Sequence, residues 1–231
     1  MSNADSKTNP PKRQRIGILV FDDFEPLDVW GFIEAFSIAR FEGGLYAEQD
    51  NLPFEIVLIA NQEGQAGAMG GPRPVKSYNG PRVLPDLFRN QALEQEFDLL
   101  MVPGGWGIRG ILASNERLRS VVAWLRAMDE RVGLMTSVCT GAALLARAGL
   151  LDGKPATTNH AAFDLVAAQG PLVQWDRSSR WVDAGRYITS AGVSAGTDMA
   201  FYLVQRMAGA QVAETAARMA EYQWQRDPGM V

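Results

Sequence analysis

The chain has one cysteine, Cys139, in the run "LMTSVCTGAALL" at 134–145, and one histidine, His160. Between an apolar run and a helical pattern, a thiol is either a packed apolar side chain or a nucleophile. Ser137 and Gly141 flank it two residues to each side. Small residues there suit a sharp strand-to-helix turn, which crowds those side chains while lifting the central one into a site. The unpaired N–H groups and dipole at a helix start favour the anion, so this position predicts a lowered thiol pKa. Any Cys–His dyad must use His160, and Thr140 follows the cysteine directly. A cysteine-protease arrangement is poorly supported.

The elements that must position the thiol are read from hydrophobic period. "IGILVF" (16–21), "FEIVLIA" (54–60), "DLLMVPGG" (98–105) and "VGLMTSVC" (132–139) are near-continuous apolar runs, the pattern of strands buried on both faces. Helical spacing predicts helices over 29–40, over 115–130, and after Cys139 to a stop near Gly149 or Gly153. A brief strand and a helix are expected in 154–170. A hairpin is expected to turn at Asp183–Ala184–Gly185, and two helices in 196–225. The Gly- and Pro-rich stretch 61–82 reads as loop or short hairpin. Strands alternating with helices predict an α/β fold, an open, mostly parallel sheet sandwiched by helices. Its site should lie beyond the carboxyl ends of the strands, where the loops at 22–28, 103–110 and 139–141 converge.

At 231 residues, 47% apolar and 21% charged, the chain suits a single globular domain over 15–231 behind a polar, disordered tail at 1–14. A net charge of −4 offers no basic footprint for nucleic acid or an anionic membrane surface. No run approaches the roughly 20 apolar residues of a membrane span. A single cysteine forms no internal disulfide, so the expected location is the cytoplasm.

Several of these segments, in order, carry a resemblance: the first strand with "PLD" after it, "VPGGWG", "SVCTGAALLARAGLLDGKPATTNHAAF" and "ITSAGVSAGTDMA". Across residues 15–222 the chain resembles the ThiJ/PfpI superfamily, relatives of class I glutamine amidotransferase domains with a flavodoxin-like sheet. Cysteine followed by Thr-Gly, with an Asp in the first strand-to-helix loop, is similar to isocyanide hydratase and to the sensor domains of AraC-type regulators. The protease-like members place a histidine after the cysteine, and this chain does not.

The resemblance implies Cys139 as nucleophile and Asp28 as the acid beside its sulfur; the lesser alternative for an Asp there is a helix N-cap. A carboxyl beside a thiolate has a raised pKa, and its protonated form donates to sulfur. Gly105 is expected as an oxyanion donor with the Thr140 backbone N–H, and Gly104, Trp106, Gly192 and Val193 as pocket residues. The "SAGVSAGTD" stretch (190–198) lacks the His and Glu of amidotransferases, so glutamine hydrolysis is not expected. The hydratase-like pattern reads Ala-Thr-Thr-His, where this chain has Asn159 and delays histidine to His160.

The expected function is cysteine-dependent hydration of a small molecule, an isocyanide giving an N-substituted formamide, with no metal or organic cofactor. One alternative is a ligand or redox sensor related to AraC-type regulators, whose helix-turn-helix module the chain, ending at Val231, has no room for. Another is glyoxalase-type or deglycating chemistry on α-oxoaldehydes, for which Glu25 is the candidate acid. The resemblance implies a homodimer, with the apolar helix at 29–40 as a contact surface.

Overall fold

In a computed structural model, residues 12–41, 51–64 and 70–229 are described. The first apolar run becomes β1 (Gln14–Val20), followed by α1 (Pro26–Ser37), β2 (Phe54–Ala60), β3 (Val75–Lys76), β4 (Arg82–Val83), β5 (Leu87–Phe88) and α2 (Arg89–Ala92). Then come β6 (Leu99–Val102), α3 (Gly107–Ala113), α4 (Asn115–Asp129), β7 (Leu134–Val138), α5 (Ala142–Arg147), β8 (Pro155–Ala156) and α6 (Phe163–Ala167). The chain continues through β9 (Gln174–Trp175), β10 (Trp181–Ala184), β11 (Tyr187–Ser190), α7 (Ala195–Ala208) and α8 (Ala210–Met219).

Seven strands form the main sheet in the order β10-β11-β7-β6-β1-β2-β5. All neighbours run parallel except the β10–β11 hairpin. The central runs are mostly apolar because helices cover both faces of a parallel sheet, with Thr136 and Ser137 of β7 as buried polar members. Ile16, Ile18, Leu19, Leu99, Leu100 and Met101 are fully buried. α1 packs on α7 and α7 on α8; α4 packs against both α3 and α5.

Several boundaries differ from those that periodicity predicts. α1 starts at Pro26, three residues early, because proline at the first helical position has φ preset and no N–H to satisfy. Asp28 is therefore in the first helical turn, not the preceding loop. The N-cap position is Glu25, so the N-cap reading of Asp28 is excluded. Helix α3 lies in the stretch expected to be loop, its Gly107 and Gly110 obscuring the helical period. β5 and α2, only 2 and 4 residues long, are too short for periodicity to reveal.

The hairpin pairs Ala184 with Tyr187, which centres its turn on Gly185 and Arg186, beyond the expected triplet. α8 ends at Met219, short of the expected helix end. β3 and β4 form the short hairpin allowed for in the Gly/Pro-rich stretch. The expected tail falls outside the described residues except for its last three, and β1 already begins at Gln14.

Candidate functional site

Cys139 follows the last residue of β7 and opens a single 3-10 turn, Cys139–Gly141, that leads into α5. Its φ is +57°, in the left-handed region that non-glycine residues avoid. Such a conformation costs on the order of 1–3 kcal/mol and persists where its surroundings over-determine it. Both backbone polar groups of Cys139 are tied. Its N–H donates to Ala191 O at 3.2 Å, and its carbonyl accepts the Thr158 hydroxyl at 2.8 Å. Gly141 completes the turn by proximity, since a Cβ there would overlap Val102 O and lie 2.8 Å from Pro103 O.

Asp28 reaches the thiol from α1. It is fully buried, and its Oδ2 accepts the Gly104 N–H at 2.8 Å. The carboxyl interacts with the Cys139 side chain, while Oδ1 has no partner of ordinary hydrogen-bond geometry. Burial pushes the Asp28 pKa well above the usual carboxylate range. The Gly104 N–H opposes this shift, Glu25 adds to it, and the Cys139 contact opposes it.

Cys139 is also raised, first by burial and then by the Asp28 charge, with the Thr140 N–H and the Asn159 amide offsetting part of the shift. This overturns the expectation of a lowered thiol pKa. α5 has only six residues, so little dipole accumulates, and burial outweighs it. Burial therefore disfavours the doubly ionised pair, which keeps a proton between its two members.

The glycine loop after β6 is folded against the turn. Gly104 touches it so closely that a Cβ would lie 2.6 Å from Thr140 N and 2.8 Å from Cys139 Cβ. Gly105, at φ +124°, bridges to Phe24, and a Cβ there would sit 2.5 Å from both Asp23 O and Glu25 N. Its N–H, the expected oxyanion donor, donates to Thr140 Oγ1 at 3.1 Å. In this arrangement it fastens the two loops together, and the Thr140 N–H is the backbone group that offsets part of the thiol's upward shift.

The remaining candidates divide. A Cβ on Gly192 would lie 3.2 Å from Cys139 Sγ, so this residue does line the thiol. Val193 turns the chain into α7, its carbonyl accepting the Gly196 N–H at 3.3 Å. Trp106 is 56% exposed, stacks on Tyr78 with centroids 6.0 Å apart, and lies under Arg109. It borders a cleft of about 760 Å³ with Asp22, Arg73 and Arg89, and neither Cys139 nor Asp28 is among that cleft's lining residues.

Glu25 acts on Asp28, while Asp28 is the acid on the sulfur. The group to which the sequence alone assigns no role is Asn159, whose amide lies near the thiol across Gly192 and opposes its upward shift. Its signal was the departure from histidine at that position. His160 has a buried Nε2 without a hydrogen-bond partner. Among the described residues, no group of three or more His, Cys, Asp or Glu is placed to hold a metal ion. Among the same residues, no helix is long and apolar enough to cross a membrane.

Comparison with known proteins bears on this geometry. The model of the DJ-1/PfpI family matches residues 14–206. An isonitrile hydratase of Pseudomonas putida is 35% identical over 125 residues, covering 54% of this chain and 52% of that protein. The HTH-type transcriptional regulator CdhR of Pseudomonas aeruginosa is 36% identical over 146 residues, 61% of this chain and 39% of the regulator. The matches thus span about half or less of these relatives.

Among solved structures, a ThiJ/PfpI family protein from Pseudomonas syringae superposes with a TM-score of 0.73 at 25% identity, covering 96% of this chain and 82% of that one. Drosophila melanogaster DJ-1beta gives 0.72 at 18% identity, covering 92% of this chain and 100% of the other, a likeness of fold.

Proposed function

From the premise that the chain belongs to the DJ-1/PfpI family, we propose that it hydrates an isocyanide to an N-substituted formamide, with Cys139 as nucleophile and Asp28 as general acid and base. The observation that carries this reading is the buried Asp28–Cys139 pair, in which both groups have raised proton affinity. The similarity to an isonitrile hydratase supports it.

The terminal carbon of an isocyanide must gain both a nucleophile and a proton. A pair that retains one proton supplies both, whichever atom carries it at rest. Cys139 sulfur forms the C–S bond while the proton passes through Asp28 to the same carbon, giving a thioimidate, R–N=CH–S. Asp28, now a carboxylate, takes a proton from water as the oxygen bonds to that carbon and passes it to the nitrogen, giving R–NH–CH(OH)–S, whose hydroxyl holds the proton that the pair recovers in the last step. The C–S bond then breaks, releasing R–NH–CHO and returning sulfur and one proton to the pair. The sum is isocyanide plus water to formamide, so the step consumes no other reactant. The Thr140 N–H steadies the sulfur as it departs with negative charge.

The proposed protein is a cytoplasmic homodimer. Leu27 and Trp30, three residues apart on the α1 face beside Asp28, are 48% and 45% exposed and form the contact surface in this reading.

A panel of alkyl and aryl isocyanides assayed for formamide tests the proposal. Cys139→Ala should abolish turnover, and Asp28→Asn should slow it at least a hundredfold. Full activity in either variant removes the reading. The regulator matches favour a second one, a ligand-sensing domain. Ligand-induced thermal shifts without turnover would support that alternative, and methylglyoxal turnover without isocyanide turnover would favour the oxoaldehyde chemistry.

A further inference from the structure

Asn159 caps the 3-10 turn His160–Ala162, its Oδ1 accepting the Ala162 N–H at 3.0 Å. That bond fixes which end of the amide is which, because only the oxygen can accept. The Nδ2 end points toward the thiol. A Cβ on Gly192 would overlap Asn159 Nδ2 and lie 3.2 Å from Cys139 Sγ, so the missing side chain of Gly192 is the space through which amide and sulfur meet. The segment carrying Asn159 is fixed to the site on two sides. The Thr157 N–H donates to Thr189 Oγ1 at 2.8 Å, and the Thr158 hydroxyl donates to the Cys139 carbonyl at 2.8 Å.

We propose that Asn159, given room by Gly192, is a neutral hydrogen-bond donor to the Cys139 sulfur that stabilises its negative charge and leaves Asp28 as the group that exchanges protons with substrate. An imidazole in this place would titrate near pH ~6.5 and offer a second proton acceptor beside the nucleophile. An amide donates and never titrates. The inference deepens the nucleophilic reading of Cys139 and does not depend on which substrate the thiol attacks.

The test uses the rate of iodoacetamide alkylation of Cys139 from pH 6 to 10, which needs no isocyanide and is unambiguous because the chain has one cysteine. Asn159→Ser keeps a capping oxygen and removes the reach to sulfur. Its alkylation should be about tenfold slower at pH 8, the value of one lost hydrogen bond to a charged group. Gly192→Ala should slow it similarly by displacing the amide.

Asn159→His should add an inflection near pH ~6.5 to the profile, a change that loss of a cap alone would not produce. An Asn159→Ser variant that keeps its circular dichroism spectrum and alkylates within twofold of the parent overturns the proposal. So does an Asn159→His profile without the new inflection, even if the serine variant does not fold. Should the parent alkylate as described and hydrate no isocyanide, the functional reading fails while this assignment stands.

Discussion

The Asp28 carboxyl and the Cys139 thiol meet inside the protein, one from the first turn of α1 and one from the turn after β7, and burial raises the proton affinity of both. A thiolate formed against a raised pKa is intrinsically more nucleophilic than one made abundant by a lowered pKa. Abundance matters less where the attacked carbon also needs a proton. The glycine loop completes the pair by giving one N–H to the Asp28 carboxylate and one to the Thr140 hydroxyl.

Replacing the acid should stabilise the protein while disabling it. The folded-state pKa of Asp28 lies above its unfolded value, so the native state binds the extra proton and stability falls as pH rises above about 4. Asp28→Asn keeps an oxygen for the Gly104 N–H and carries no titrating group. Its melting temperature should match the parent near pH 4 and exceed it increasingly toward neutrality, by about 2–4 °C for each kcal/mol relieved. Equal melting temperatures at pH 8 would contradict the raised pKa.

The pair also sets the pH dependence of turnover. In the proposed hydration the form carrying one proton is the reactive one, and the removal of that last proton is displaced upward by burial. kcat/KM should therefore hold at pH 9, above the ordinary thiol pKa of about 8.5, and fall only on the acid side as a second proton binds. A profile that collapses between pH 8 and 9 would show an ordinary thiol.

Periodicity was enough to locate the four central strands and the principal helices, because strands buried on both faces are apolar at nearly every position and amphipathic helices are not. The turn at Cys139 was legible from its small flanks, and Gly141 shows why, since Val102 O occupies the place of a side chain. Three features were not legible. The thiol pKa depends on burial that a sequence does not display. The assignment of the Gly105 N–H to Thr140 depends on how closely two distant loops pack. Asn159 is placed at the sulfur by a glycine 33 positions further on, and no local pattern encodes that encounter.

Two glycine substitutions should have opposite effects. Gly141→Ala forces a methyl group into the Val102 and Pro103 carbonyls, which the sheet holds in place. It should cost about 2–3 kcal/mol, in the range of strained overpacking. Gly110, inside α3, has open space where an added methyl would lie, with nothing beyond its chain neighbours and its own helix backbone within 4 Å, so Gly110→Ala should gain roughly 0.5–1 kcal/mol from helix propensity. Urea unfolding midpoints of the two variants check the sign.

The proposed dimer face can be separated from the catalytic pair. Trp30 is exposed on α1, whereas Asp28 points into the protein. Trp30→Glu places a charge on the face without entering the core. Sedimentation should then show a monomer where the parent sediments as a dimer, and an unchanged dimer would move the contact elsewhere.

Asp198 supports the rear of the fold, and its removal should release the C-terminal segment. It is buried in α7 and ion-paired with Arg180, and its Oδ1 accepts the Tyr222 hydroxyl at 3.1 Å and the Gln225 N–H at 2.9 Å. Burial, with the neighbouring carboxylate, pushes the Tyr222 hydroxyl up to about 12. Asp198→Ala leaves Arg180 without its counter-charge and the segment after α8 without its anchor, at a cost of about 3–5 kcal/mol. Asp198→Asn retains the acceptor for Tyr222 and Gln225 but not the charge, so its loss should be smaller. Limited proteolysis should cut between residues 220 and 229 much faster in the alanine variant, while a parent-like digestion pattern would show that the contacts the substitution leaves in place, Phe201 on Tyr222 with centroids 5.4 Å apart and the Arg180 N–H on Pro228 O among them, hold the segment without the carboxylate.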